Sequence, residues 1–394
     1  MSATTIRTAA EQQADQAPTV TDRSARASVT AWLGVLFVLV VLLVALGGFV
    51  RLTGSGLSLP GWPTNAGLLL PPMTEVQWDE TYALFREDQA RLQDLQGKPG
   101  LGSLGHDPQT RAEFIRMYLI EWSHRALAAL VGIVALACCV VGWRNRWVRS
   151  LAGERLAAIV ALMVFQAVLG GVLVLEGTAT HWLFLHLGTA TIILALICET
   201  VLRLLRATRP APQPELLAGR RPLLRLFQVA FAAIFLQLVL GALVAGSRHN
   251  GFVPNWPLMQ GELVPTLWQP QAGVLWNLLD NWILHQWLHR WFAWISAGLV
   301  LVLGVLVLRR DPTPRLALAA RIVLTFLAIQ MLLGVMNVVQ VVPTLIALSH
   351  LVMAMLLVAA LVLLGHDLRW EPRLAVCEQD RARRRVGPEG VQPC

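Results

Sequence analysis

The sequence predicts an all-α polytopic membrane protein, with eight transmembrane helices arranged as two pseudo-symmetric four-helix bundles. Three observations carry that prediction. The composition is 56% hydrophobic and only 14% charged over 394 residues, with a mean hydropathy of +0.58, which excludes a water-soluble globular domain. The apolar residues fall in eight runs, each close to the roughly 20 residues that a bilayer span needs. The last four runs repeat the motifs of the first four.

The runs lie at 31–50, 117–141, 156–175, 181–203, 224–246, 284–308, 318–339 and 344–365. They are continuous rather than alternating, so they predict helices and not the strands of a barrel. Their connections differ in charge. Arg144, Arg146, Arg149 and Arg155 follow the second run, Arg203, Arg206, Arg209, Arg220, Arg221 and Arg225 the fourth, and Arg309, Arg310 and Arg315 the sixth. Arg7, Arg23 and Arg26 precede the first run, and Arg369, Arg373, Arg381, Arg383, Arg384 and Arg385 follow the last. By the positive-inside rule these segments and both termini are cytoplasmic in a bacterial inner membrane. The net charge of +8 thus reports topology, and no nucleic-acid partner is expected.

The expected layout is a disordered tail over 1–30, an N-terminal bundle over 31–208 with a long outward loop at 51–116, and a linker at 209–222. A C-terminal bundle over 223–366 and a cytoplasmic tail over 367–394 complete it. Cys138, Cys139 and Cys198 fall inside spans, and Cys377 and Cys394 in the reducing cytoplasm, so no disulfide is expected.

The repeat is legible at three places. With an offset of 194, Gly47 meets Gly241, Pro60 meets Pro254, Trp62 meets Trp256, Pro63 meets Pro257, Gly67 meets Gly261 and Pro71 meets Pro265. "QAVLG" from Gln166 matches "QMLLG" from Gln330, and "EWSHR" at 121–125 matches "QWLHR" at 286–290. An even number of spans per half makes the two topologies parallel.

The repeat pairs His124 with His289 and His186 with His350. All four lie near the starts of helices running from outside to inside, and so at similar depth. Imidazoles on facing helices of a bundle suit axial sites on haem, one site per bundle. The competing reading is a set of polar contacts between helices. Of the other histidines, His285 and His181 are rival ligands on the same helices, while His106, His249 and His366 are expected to be solvated.

The repeat breaks at one position, where Glu121 faces Gln286. An ionisable group at membrane depth is expensive and marks function, and at i and i+3 Glu121 shares a helix face with His124. A structural hydrogen bond is the alternative. Arg51, Arg125 and Arg290 are placed to pair with haem propionates or to snorkel to the interface. Trp62 and Trp256, each followed by proline, are placed to cap the outer rim of a pocket or to join the interfacial aromatic belt.

Across residues 31–366 the chain resembles the haem A synthase family. The resemblance rests on "RLTGSGLS" with the following "WP", "EWSHR", "LHLG" around His186, "QLVLGALVAG" with "NWPLM", "HR" at 289 and "LSHL" at the last helix. It implies oxidation of the C8 methyl group of haem O to a formyl group, giving haem A for terminal oxidase assembly. In that reading His289 and His350 ligate a haem B cofactor, His124 and His186 flank the iron of the substrate haem, and Glu121 is the catalytic carboxylate. Haem O synthase, oxidase assembly factors and further copies of the chain are the candidate protein partners, with the lipid bilayer as the medium. The outward cysteine pair of some family members has no counterpart here. Two other functions fit the paired histidines or the paired bundles: a diheme b-type cytochrome taking electrons from quinol, and a transporter without haem.

Overall fold

A computed structural model describes residues 18–59, 61–62, 70–93, 107–207, 214–247, 251–310 and 312–370. Ten α-helices and no strand are present among them. Eight are long and apolar enough to cross a membrane. They are α1 (Val20–Leu52), α3 (Arg111–Arg144), α4 (Arg146–Leu175), α5 (Thr180–Arg206), α6 (Pro214–Ser247), α8 (Trp282–Leu308), α9 (Pro314–Val339) and α10 (Thr344–Trp370). Two shorter helices, α2 (Glu75–Gln93) and α7 (Gly273–Leu279), lie in the connections.

The helices begin where the sequence caps them. Thr19 and Asp22 form a reciprocal capping box at the start of α1, so the helix begins eleven residues before the expected 31. Neighbours hold this extension. Asn145 donates to Asp22 at 3.0 Å, and the Arg26 guanidinium lies 6.0 Å from the Trp147 ring. The expected disordered tail is therefore helical from Val20, while residues 1–17 and 371–394 lie outside the described residues. Thr110, Asn145, Asn281 and Thr313 cap α3, α4, α8 and α9 in the same way, each accepting from a backbone N–H three residues on.

Helices α1, α3, α4 and α5 close into one ring, and α6, α8, α9 and α10 into another. The first encloses a core that includes Leu33, Leu36, Val131, Leu156, Ile193 and Ile197. The second encloses Phe227, Ile234, Val300, Leu303, Val323 and Leu361. The rings meet along α1, α5, α6 and α10. Without a hydrophobic force between helices in lipid, small residues set how closely they approach. A Cβ at Gly48 would lie 2.6 Å from Leu351, and one at Gly246 the same distance from Thr180.

The loop at 51–116, expected only as long, contains α2. One face of that helix carries Trp78, Tyr82 and Phe85 at helical spacing. These rings pack edge-on or tilted against the start of α3, with Trp78 at 5.1 Å from Tyr118 and both Tyr82 and Phe85 within 5.1 Å of Phe114. Both tyrosines of the chain belong to this cluster. It fixes the first turns of α3, and with them the approach to Glu121.

Two connections turn without a loop. Gly177 and Thr178 join α4 to α5 at φ values of 64° and 55°, and Val341 and Val342 join α9 to α10 at 60° each. These left-handed conformations are strained for any side chain and most for a β-branched one.

Candidate functional site

Each of the four matched histidines seats its ring against a glycine on the preceding helix of its ring. His124 on α3 lies against Gly47 of α1, where a Cβ would stand 3.1 Å from Nε2. His186 on α5 lies against Gly170 of α4 at 3.4 Å, His289 on α8 against Gly241 of α6 at 3.0 Å, and His350 on α10 against Gly334 of α9 at 3.1 Å. The glycines are cradles that a methyl group would fill.

Three of those glycines share a second feature. Gln166, Gln237 and Gln330 each stand four residues before the cradle glycine, hence on the same helix face. Gln166 Nε2 donates to the His186 carbonyl at 3.0 Å. Gln237 Nε2 donates to the His289 carbonyl at 2.9 Å and lies 3.0 Å from its Nδ1. Gln330 Nε2 lies 3.4 Å from His350 Nε2. The fourth position is Leu43, so His124 has no such amide beside it. The recurring Gln-x-x-x-Gly was open to reading, since "QLVLG" at 237 matches "QAVLG" and "QMLLG", but only two of the three entered the repeat.

Several polar atoms here have no partner although they are buried: His186 Nδ1, His350 Nδ1 and the Oε1 atoms of Gln166, Gln237 and Gln330. Unsatisfied groups of this kind are rare unless a ligand or water completes them. Together with the four cradles they fit a site built around haem, in which each neutral imidazole offers iron one lone pair.

Glu121 is 4% exposed and accepts from Arg125 Nε at 2.8 Å. The rest of the Arg125 guanidinium reaches the chain after α1, with Nη1 donating to Gly61 O at 2.8 Å and Nη2 to Leu59 O at 3.2 Å. The other ring repeats this clamp at the matched positions. Arg290 donates to Asn255 O at 2.9 Å and to Val253 O, and its Nη2 lies 3.2 Å from Gln286 Oε1. Gln286 also accepts from Val253 N at 3.1 Å. Both arginines therefore tie the segments after α1 and α6 to their helices through backbone carbonyls. Arg51 likewise spans the two rings, donating to Thr178 Oγ1, Ala245 O and Gly246 O at 3.0 to 3.2 Å.

Trp62 packs on Gly171, the residue after the His186 cradle, while Trp256 stacks on Trp294 at 6.3 Å. The rival ligand His285 is fully engaged, with Nδ1 at 2.8 Å from Ser247 Oγ and Nε2 at 3.0 Å from Leu278 O. His181 packs on Trp182 at 5.1 Å. His366 corrects an expectation. It is buried, not solvated, with Nδ1 at 3.2 Å from Glu199 Oε2 and its ring stacked on Trp370. His106 and His249, and the matched Pro60, Pro63 and Gly67, lie outside the described residues.

Comparison with known proteins agrees with this arrangement. Residues 30–362 match the COX15-CtaA family, described as cytochrome oxidase assembly proteins. The chain is 34% identical over 356 residues to heme A synthase of Paracoccus denitrificans, covering 88% of this chain and 90% of that one. It is 36% identical over 342 residues to heme A synthase of Methylobacterium radiotolerans, covering 83% and 86%, and 33% identical over 346 residues to that of Erythrobacter litoralis, covering 85% and 95%. With its eight spans, its four cradled histidines and matches that run almost end to end, the chain belongs to the haem A synthase family.

Proposed function

We propose that this chain is a membrane oxidoreductase that converts haem O to haem A by oxidising the C8 methyl group to a formyl group. The observation that carries the proposal is the pair of clamps. Arg125 and Arg290 both donate to backbone carbonyls at matched positions, and each also donates to the residue four before it, a carboxylate in one ring and an amide in the other. The amide is taken up in a structural network with Val253 N and Gly251 O, whereas a carboxylate buried at membrane depth supports a further task.

The two rings divide the work as matched bundles. In the second, His289 and His350 hold haem B, whose iron supplies one-electron redox chemistry when bound. In the first, His124 and His186 would hold the substrate haem, and Glu121 would take up one proton at a time as the methyl group is oxidised. Arg125 orients Glu121 and fixes the chain after α1 above it, and Trp62 closes that rim. Arg290 and Trp256 serve the corresponding rim of the second bundle, and Arg51 locks the bundles together there. The tails and the arginine-rich connections face the cytoplasm, so both haem sites lie toward the outer side of a bacterial inner membrane. In a diheme cytochrome fed by quinol, Glu121 would instead accept the quinol protons and no haem A would form, and the relatives that the chain matches are named for haem A synthesis.

The test is Glu121→Gln, which copies the other clamp. Its haem B content should equal that of wild type while haem A formation from haem O in cells stops. Haem A formed at the wild-type rate would remove Glu121 from the reaction, and purified protein without haem absorbance would remove the proposal.

A further inference from the structure

An apolar groove of about 440 Å³ runs between α1 and the first turns of α3, walled by Leu46, Ile115, Leu119 and Ile120, with Arg116 and Ser123 at its edges. Its lining residues neighbour the proposed substrate site along the chain. Leu46 precedes the His124 cradle Gly47, Ile120 precedes Glu121, and Ser123 precedes His124. Leu119 is 40% exposed, which places the mouth of the groove on the face that a spanning helix turns to lipid.

Three of the matched positions in the second ring are polar and packed. The residues matched to Ile115, Arg116 and Ile120 are Asp280, Asn281 and His285, all buried. Asn281 donates to Leu267 O at 2.7 Å and to Asn277 Oδ1 at 2.8 Å, and His285 is held by Ser247 and Leu278. Hydrogen-bonded side chains thus close, in one bundle, the place that is apolar and open in the other.

We infer that this groove binds the isoprenoid tail of haem O, an inference that rests on the function proposed above. The tail is the one large apolar group that distinguishes haem O from haem B. The groove is present in the bundle assigned to the first and sealed in the bundle assigned to the second. From Ile120 back to the start of α3 it follows roughly 12 Å of helix, enough for several isoprene units. Its open side lets an amphiphilic substrate arrive, and its product leave, through the bilayer without unfolding the bundle. Arg116 stands at the outer edge, clear of the apolar floor.

Leu119→Trp and Ile115→Trp fill the groove. Leu119 already faces outward, so its replacement does not overpack the core. Purified wild type and variants, each with its resident haem B, are titrated with haem O and separately with added haem B, following the absorbance change that His124→Ala abolishes. The variants should weaken haem O by about tenfold or more, the loss of roughly 1.4 kcal/mol of apolar burial, and leave added haem B unchanged. Unchanged haem O affinity, or equal loss for both haems, overturns the inference. If the variants fail to retain resident haem B, maleimide labelling of Leu119→Cys decides: protection by haem O but not by haem B supports the groove, and equal labelling rejects it. Failure of the underlying function looks different, because wild type itself would then show no haem O signal dependent on His124.

Discussion

Gln237 reaches His289 twice, at its carbonyl and at its Nδ1, whereas the matched residue beside His124 is Leu43. Partners that orient a ligating imidazole contribute about 10- to 100-fold to metal affinity. On the proposed function, this contact would pre-set His289 as a permanent ligand and leave His124 free to release its haem. Gln237→Leu should weaken retention of the resident haem by roughly that factor, read as haem to protein ratio after dialysis against a haem acceptor. Unchanged retention would reduce Gln237 to a helix contact.

The cradle glycines make a sharper test of geometry. A methyl group at Gly241 or Gly334 would stand 3.0 or 3.1 Å from the Cε1 atom of His289 or His350, whereas one at Gly298, on the same helix as His289, meets nothing within 4 Å. Gly241→Ala and Gly334→Ala should displace their imidazoles, with an overpacking cost of about 1–3 kcal/mol, and lower haem content. Gly298→Ala should leave haem content unchanged and raise stability by about 0.5–1 kcal/mol through its better helix propensity. Equal haem content in all three would mean that the rings are not held where the cradles place them.

How much of this was legible follows from what kind of signal each feature leaves. The spans, the four histidines and the break at Glu121 could be read because hydropathy and an internal repeat are properties of sequence position alone. The Arg125 and Arg290 clamps could not, since their acceptors at Leu59, Gly61, Val253 and Asn255 are backbone carbonyls, which carry no side-chain signature. The helix α2 left a weaker trace in the spacing of Trp78, Tyr82 and Phe85, masked by the charged residues between them. His366 was misread because a histidine near a span end looks solvated until its partners, Glu199 on α5 and Trp370, are brought to it.

That histidine has a predicted cost. Its ring is buried between α5 and α10, roughly 24 Å along the helix from His350. His366→Ala leaves Glu199 without its partner and opens a void between the rings, and should destabilise the protein by about 1–3 kcal/mol. Haem content per folded molecule should stay at the wild-type level. A matching loss of haem would show that the C-terminal ends of α5 and α10 transmit to the sites.

The turn from α9 to α10 offers the opposite change. Val341 and Val342 both take φ of 60°, where a side chain costs about 1–2 kcal/mol per residue relative to the right-handed conformation. Val341 is also more than half exposed, so removing its side chain sacrifices little burial. Val341→Asn places there a residue that tolerates the left-handed conformation without the extra chain entropy that glycine would add to the unfolded state. The apparent Tm should rise by roughly 2–4 °C, measured by thermal aggregation in detergent, with haem content unchanged because the backbone that aims α10 at the site is the same. The turn at Gly177 and Thr178 already has glycine at its first position, and Thr178 holds the hydrogen bond from Arg51. Thr178→Asn should therefore gain less, and a larger gain there than at Val341 would mean that backbone conformation is not what limits the stability of these turns.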